Sequence, residues 1–255
     1  MKPLIMGILN TTPDSFFDGG KYNALDAALK RAEDILAQGG DIIDVGGQST
    51  RPNAADLTEE EETSRVLPVI KEIKKQFKDA VISVDTFNYN TAKAAVENGA
   101  TIINDVSAIA DIRLADLAAS YNAKLVIMHM RGTPKGRQTL SEYDDILKEI
   151  KEFFEAKAKL AQARGVDAKN IILDPGLGFA KTREQNWFLL ENLKYFDCLN
   201  MPLLIGASRK SFTDKTLELS LKAARLAYNA NAYILRVHDV KETKDFLEDI
   251  AREKK

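Results

Sequence analysis

Short apolar runs recur eight times along this 255-residue chain, at positions 4–10, 41–47, 80–86, 101–107, 124–130, 170–176, 202–208 and 233–239. They are continuous rather than alternating, the pattern of strands buried on both faces. Stretches of helical periodicity follow them at 24–38, 59–77, 91–98, 112–121, 141–164, 183–193, 216–229 and 240–253. Local signals punctuate these stretches. Gly39-Gly40, Gly99 and Gly165 stop helices, Thr58 with Glu61 reads as a capping box, and Asp111 reads as an N-cap. The (βα) unit repeated eight times in a chain of this length predicts an α/β protein, a single (β/α)8 TIM barrel spanning 1–255. The longest strand-to-helix loops, 11–23, 48–58 and 131–140, carry Gly and Pro and fall on the face where such barrels hold their active sites.

The polar residues follow that face. Asn10, Asp44, Asp85, Asn104 with Asp105, His129, Asp174, Ser208 to Lys210, and Arg236 to Asp239 all lie at the exits of apolar runs. Asp85, Asn104 and Asp174 together can hydrogen-bond a flat, nitrogen-rich ligand in a small concavity. Taken singly, each is as readily a helix cap. Ser208-Arg209-Lys210-Ser211 and Arg236-Val237-His238-Asp239 fall after strands seven and eight, a frequent phosphate site in these barrels, and supply multidentate cationic donors. Two lid-like loops contain Asp14 to Gly20 and Ser49 to Pro52. Phe16 and Phe17 in the first either cover a ligand or pack on the barrel edge.

Composition changes the picture mainly by exclusion. With 36 Lys+Arg against 38 Asp+Glu, the net charge of −2 points to neither nucleic acid nor a membrane surface as partner. No apolar run approaches the roughly 18 residues of a membrane span, and Met1-Lys2-Pro3 leads into a strand without a signal-peptide core, so a cytoplasmic location is expected. The lone cysteine, Cys198, reads as a structural thiol of a reducing compartment. Cys/His zinc spacing is absent, as are nucleotide-binding glycine loops, while Mg²⁺ shared between substrate phosphates and an oxygen ligand such as Asn10 is compatible with the sequence.

Eight ordered motifs then carry a resemblance: ILNTTPDSF at 8–16, DVGGQSTRP at 44–52, SVDT at 83–86, INDVS at 103–107, MHM at 128–130, DPGLGF at 174–179, SRKSF at 208–212 and LRVHDV at 235–240. From Leu4 to about Thr243 the chain resembles the dihydropteroate synthases, folate-pathway members of the pterin-binding barrels. The resemblance implies condensation of 6-hydroxymethyl-7,8-dihydropterin diphosphate with 4-aminobenzoate, releasing pyrophosphate, with sulfonamides as competitors. It implies that Asp85, Asn104, Asp174 and Lys210 hold the pterin, with Met128 and Phe179 beside the ring and Gly206 at its edge. Asn10, Arg236 and His238 would bind the diphosphate, Asn10 also through Mg²⁺. Phe16, Thr50, Arg51, Pro52, Ser211 and the stem of Lys210 would form the aminobenzoate site. Asp14 joins Asp85, Asp174 and Lys210 in the catalytic set.

The chain also departs from that pattern. Gln48 stands where an acid is usual, Phe17 where Ser is typical, and Ala180 where Gly often follows the phenylalanine. After Phe212 the expected acidic loop is shortened to Thr213-Asp214-Lys215. That shortening bears on the mouth of the aminobenzoate pocket. It also weakens the expectation of a homodimer, because helices in this region form the dimer interface of relatives. A pterin-dependent methyltransferase domain shares the acidic contacts but has no need of Ser208 to Phe212 or of Arg236 with His238. A pterin-binding paralogue without synthase activity is the remaining alternative.

Overall fold

The computed structural model describes residues 2–11, 20–47, 57–132 and 141–253. Within them, strands β1 (Leu4–Asn10), β2 (Ile42–Gly46), β3 (Val81–Asp85), β4 (Ile102–Asp105), β5 (Lys124–Met128), β6 (Ile171–Asp174), β7 (Leu204–Ile205) and β8 (Ile234–Val237) are all parallel. Helices α1 (Gly20–Ala37), α2 (Glu59–Gln76), α3 (Tyr89–Glu97), α4 (Arg113–Tyr121), α5 (Ile146–Ala163), α6 (Arg183–Glu191), α7 (Leu217–Asn229) and α8 (Val240–Glu253) follow them in turn. The sheet runs β6-β5-β4-β3-β2-β1-β8-β7, and a single bridge from Leu173 to Leu203 joins its ends. Leu173 N donates to Pro202 O at 2.9 Å across that seam. The (β/α)8 barrel read from the sequence is therefore the observed fold.

Its elements are mostly shorter than the sequence patterns, for local reasons. At α5 the side chain of Asp145 accepts from Lys148 N at 3.1 Å, so the helix starts at 146 rather than 141. The N-cap of α4 is Ile112 rather than the expected Asp111, which lies one residue earlier and accepts from Arg113 N at 3.0 Å. Thr58 and Glu61 form the expected capping box, and Thr182 with Gln185 forms a second one that opens α6. α6 stops at Glu191 and hands over to a 3-10 helix, Leu193–Leu199. Cys198 lies in that 3-10 helix and is exposed, which corrects its reading as a structural thiol. β4 ends at Asp105 because its carboxylate accepts from Ser107 N at 2.7 Å and Ile109 N at 2.5 Å, bending the chain out of the ladder.

Side chains alternate across a strand, and that parity separates two environments. Outward residues such as Ile43, Val45, Ile82, Val84, Leu125, Ile127, Ile171 and Leu235 pack against the helices in the main core. Inward residues Met6, Ile42, Ile102, Val126, Ile172, Leu204 and Ile234 form a separate, fully buried apolar plug. Each such side chain stabilises the fold by about 1.5–3 kcal/mol through burial. Two residues further along most of the same strands the inward side chain changes character. Ile42 is followed by Asp44, Ile102 by Asn104, Ile172 by Asp174 and Ile234 by Arg236. The barrel is thus closed by hydrocarbon below and lined with charge above.

Candidate active site

The polar layer begins with neighbours in register. Asn10 pairs with Gly46, Gly46 with Asp85, and Asp85 with Asn104, so these residues face one space from adjacent strands. Met128 pairs with Asp174 on the other side of the barrel. Arg236 reaches across the mouth from β8. Its Nε donates to Asp44 Oδ2 and its Nη2 to Asp85 Oδ2, each at 2.6 Å. Asn104 Nδ2 donates to Asp44 Oδ2 at 3.2 Å, linking Asn104, Asp44, Arg236 and Asp85 into one network. Among the described residues neither Nη1 hydrogen of Arg236 has a partner, which leaves that edge of the fork for an anion.

Electrostatics in this network reflect burial opposed by pairing. Asp44 is wholly buried. Burial pushes the Asp85 carboxyl up to about 7, against the downward pull of Arg236, with Asp44 and Glu62 adding to the rise. The two carboxylates hold the Arg236 guanidinium firmly in its charged form despite its burial. Burial also raises Asp174, while Lys210 and the hydrogen bond from Gly176 N at 2.7 Å pull it down.

Lys210 follows β7 and turns inward. Its Nζ donates to Leu177 O and lies 4.5 Å from the centroid of the Phe179 ring. Phe179, Met128 and Val106 form one buried apolar cluster, a wall beside the acids. Gly206 sits at the join: a β-carbon there would lie 3.8 Å from Lys210 Nζ and 3.9 Å from Arg236 Cβ. Any larger residue would enter the space between the two cations. Ser211 is exposed and opens a 3-10 turn, Ser211–Thr213.

The anion side of the mouth is built by β1 and β8. Asn10 ends β1 exposed. His238 follows β8, with Nδ1 3.2 Å from Ser208 Oγ and its backbone N donating to the same oxygen at 3.1 Å. Burial, with Arg236 and Arg209 nearby, lowers the imidazole to about 4, so it is neutral near pH 7 and able to donate one hydrogen bond. Arg31 of α1 ties these two strand ends together, its Nη2 donating to His238 O at 2.6 Å and its Nε to Ile8 O at 3.4 Å.

The structure therefore brings Asn10, Asp85, Asn104, Met128, Asp174, Phe179, Gly206, Lys210, Arg236 and His238 around one mouth, as the sequence suggests. Asp14, Phe16, Thr50, Arg51 and Pro52 lie outside the described residues. For Mg²⁺, no cluster of three or more His, Cys, Asp or Glu side chains is arranged to hold a metal among the described residues. The exposed amide of Asn10 at the mouth is compatible with an ion bound chiefly through substrate phosphates.

A model of the family described as pterin binding enzyme matches residues 6–238. The chain belongs to the pterin-binding enzyme family. A dihydropteroate synthase of Synechocystis is 43% identical over 246 residues, covering 92% of this chain and 85% of that protein. One of Bacillus subtilis is 44% identical over 250 residues, with 94% and 85% covered. Three solved structures superpose closely. The Yersinia pestis dihydropteroate synthase in a sulfonamide drug complex matches at TM-score 0.92 and 38% identity, covering 99% of this chain and 94% of that one. The Clostridium difficile enzyme in the presence of pteroic acid matches at TM-score 0.92 and 39% identity, covering 99% and 97%. The Xanthomonas albilineans enzyme with 4-aminobenzoic acid matches at TM-score 0.91 and 37% identity, covering 99% and 93%.

Beyond the expected set, this pterin-binding enzyme uses residues to which the sequence assigned no role. Asp44 holds Arg236 and Asn104. Arg31 links the anion-side strand ends. Asn186 of α6 accepts from Gly178 N at 2.6 Å and steadies the loop after β6. Of these only Asp44 carries a sequence signal, since it sits at a strand exit two residues beyond an inward apolar position, as Asn104 and Asp174 do.

Proposed function

We infer that this chain is a dihydropteroate synthase, joining 6-hydroxymethyl-7,8-dihydropterin diphosphate to 4-aminobenzoate with release of pyrophosphate. The observation that carries the reading is the meeting of Asp85, Asn104 and Asp174 with Lys210 and Arg236 in one closed-bottomed mouth. The names and bound ligands of the close relatives support it.

The chemistry follows from that charge arrangement. Asp174 and Asn104 accept from and donate to the edge of a flat heterocycle, Lys210 donates to it, and the Met128–Phe179 wall covers a ring face. Arg236, His238 and Asn10 take the diphosphate. Cleavage of the C–O bond sends its electron pair onto pyrophosphate and leaves a cation delocalised over the methylene and the pterin ring. Asp85 and Asp174 stabilise that cation, and Arg236 the departing anion, without reorganising. The aminobenzoate nitrogen then bonds to the methylene carbon and loses one proton to water. Mg²⁺ held by the phosphates and Asn10 would add positive charge on the leaving group. Phe16, Thr50, Arg51, Pro52 and Ser211 are proposed for the aminobenzoate pocket, and Asp14 for the catalytic set.

No helix among the described residues is long and apolar enough to cross a membrane. We place the protein in the cytoplasm, with small molecules as its partners. Incubating the purified chain with both substrates and Mg²⁺ and following dihydropteroate and pyrophosphate tests the reading. Equimolar formation of the two supports it, whereas pterin binding without condensation overturns it in favour of a binding paralogue.

A further inference from the structure

Lys181, just ahead of α6, is the side chain behind the pterin wall that the reaction does not use. Its Nζ is 3.1 Å from His129 Nδ1, 3.1 Å from Gly176 O and 3.0 Å from Phe179 O. Burial lowers the Lys181 amine to about 7, and in its protonated form its three donors meet these three acceptors. Among the described residues no carboxylate pairs with it at salt-bridge distance. His129 is buried and kept neutral, since burial, with Lys181 and Arg131 beside it, lowers its imidazole to about 2. Its Nδ1 is therefore available to accept.

The segment that Lys181 grips cannot hold its shape by local preference. Gly176, Gly178 and Ala180 all have left-handed backbone, at φ of 67°, 79° and 47°. One turn hydrogen bond lies within it, Phe179 N to Gly176 O at 3.1 Å, and contacts from other segments hold the rest. Leu177 O accepts from Lys210 on the site side. Gly176 O and Phe179 O accept from Lys181 on the far side. Gly176 N fixes the Asp174 carboxylate.

We propose that Lys181 is a positioning residue for pterin recognition, clamping the 174–179 loop from behind so that Asp174, Leu177 O and the Phe179 ring face the ligand together. The proposal rests on the pterin site inferred above. Lys181 touches no substrate. It acts through two backbone carbonyls and the His129 ring, and its loss would leave Gly176 O with the Phe179 N hydrogen bond alone and take one donor from Phe179 O and from His129 Nδ1.

The test compares wild type, Lys181→Met and Lys181→Arg by calorimetric titration with the pterin diphosphate, steady-state kinetics in both substrates and amide exchange. Lys181→Met is expected to weaken pterin affinity about tenfold or more. It should raise KM for the pterin more than KM for 4-aminobenzoate. Exchange at Gly176 and Gly178 should quicken while β1 to β5 stay protected. Lys181→Arg, which keeps charge and donors, should recover part of each change. Unchanged affinity and loop exchange in Lys181→Met overturns the proposal, and so does a loss shared by both substrates with faster exchange throughout the barrel. If Lys181→Met does not fold, Lys181→Gln is judged by the same readings. Wild type that binds no pterin would overturn the site reading instead, and loop exchange alone would then decide the clamp.

Discussion

Arg236 and Asp44, 192 residues apart in sequence, meet across the barrel mouth at 2.6 Å, and Asp44 is wholly buried there. The proposed diphosphate-binding arginine is therefore aimed by an acid with no substrate of its own. Replacing Asp44 with Asn keeps the shape but leaves the guanidinium supported by Asp85 alone. We expect Asp44→Asn to cost about 3 kcal/mol of stability, the order seen when one partner of a buried pair is removed. It should also lower kcat/KM for the pterin diphosphate. Urea unfolding and initial rates measure both, and wild-type values on each would refute the coupling.

Asp85 supplies a pH prediction. Its carboxyl is raised by burial to about 7, so it is mostly protonated below that pH and ionised above it. If the ionised form stabilises the pterin cation, kcat/KM must climb as pH rises through about 7. Asp85→Asn should be slow and lack this acidic limb. A limb of the same midpoint in Asp85→Asn would assign it elsewhere.

Gly176 has φ of 67°, and a β-carbon on it would lie 1.9 Å from His129 O, a backbone atom that cannot swing aside. Gly176→Ala must move the loop that carries the Asp174 contact. Pterin affinity should drop by at least an order of magnitude, the scale of a misplaced polar contact of about 1.5 kcal/mol or more. Titration calorimetry reads this directly.

Phe154 of α5 is wholly buried and packs edge-on against Phe153 and Phe196, with centroids 6.0 and 5.7 Å away. It is remote in role from the mouth. Phe154→Ala should cost about 3–5 kcal/mol in stability with KM values near wild type in the folded fraction. A shift below 1 kcal/mol in chemical denaturation would show that the helix collapses into the gap.

The architecture was legible because the strands are largely apolar runs and several helices carry their own caps, as at Thr58 with Glu61 and Thr182 with Gln185. What shortened the elements was chemistry at their ends, such as Asp105 folding back onto Ser107 and Ile109, which no periodicity reports. Asp85, Asn104 and Asp174 could be assembled from one sequence because strand exits of a parallel barrel share a rim. Asp44 stands at the same kind of exit, yet its role depends on which side chain faces it across the barrel. Lys181 looks like any solvated lysine beside a helix start. Only the fold around Gly176 and Phe179 turns it inward.

The apolar plug of Met6, Ile42, Ile102, Val126, Ile172, Leu204 and Ile234 makes the barrel a blind well with one doorway. Everything must come and go past the same threshold, so the guest seated nearest the bottom has to arrive before the one above it. By the same reasoning a small compound wedged at the doorway would trap whatever already lies beneath.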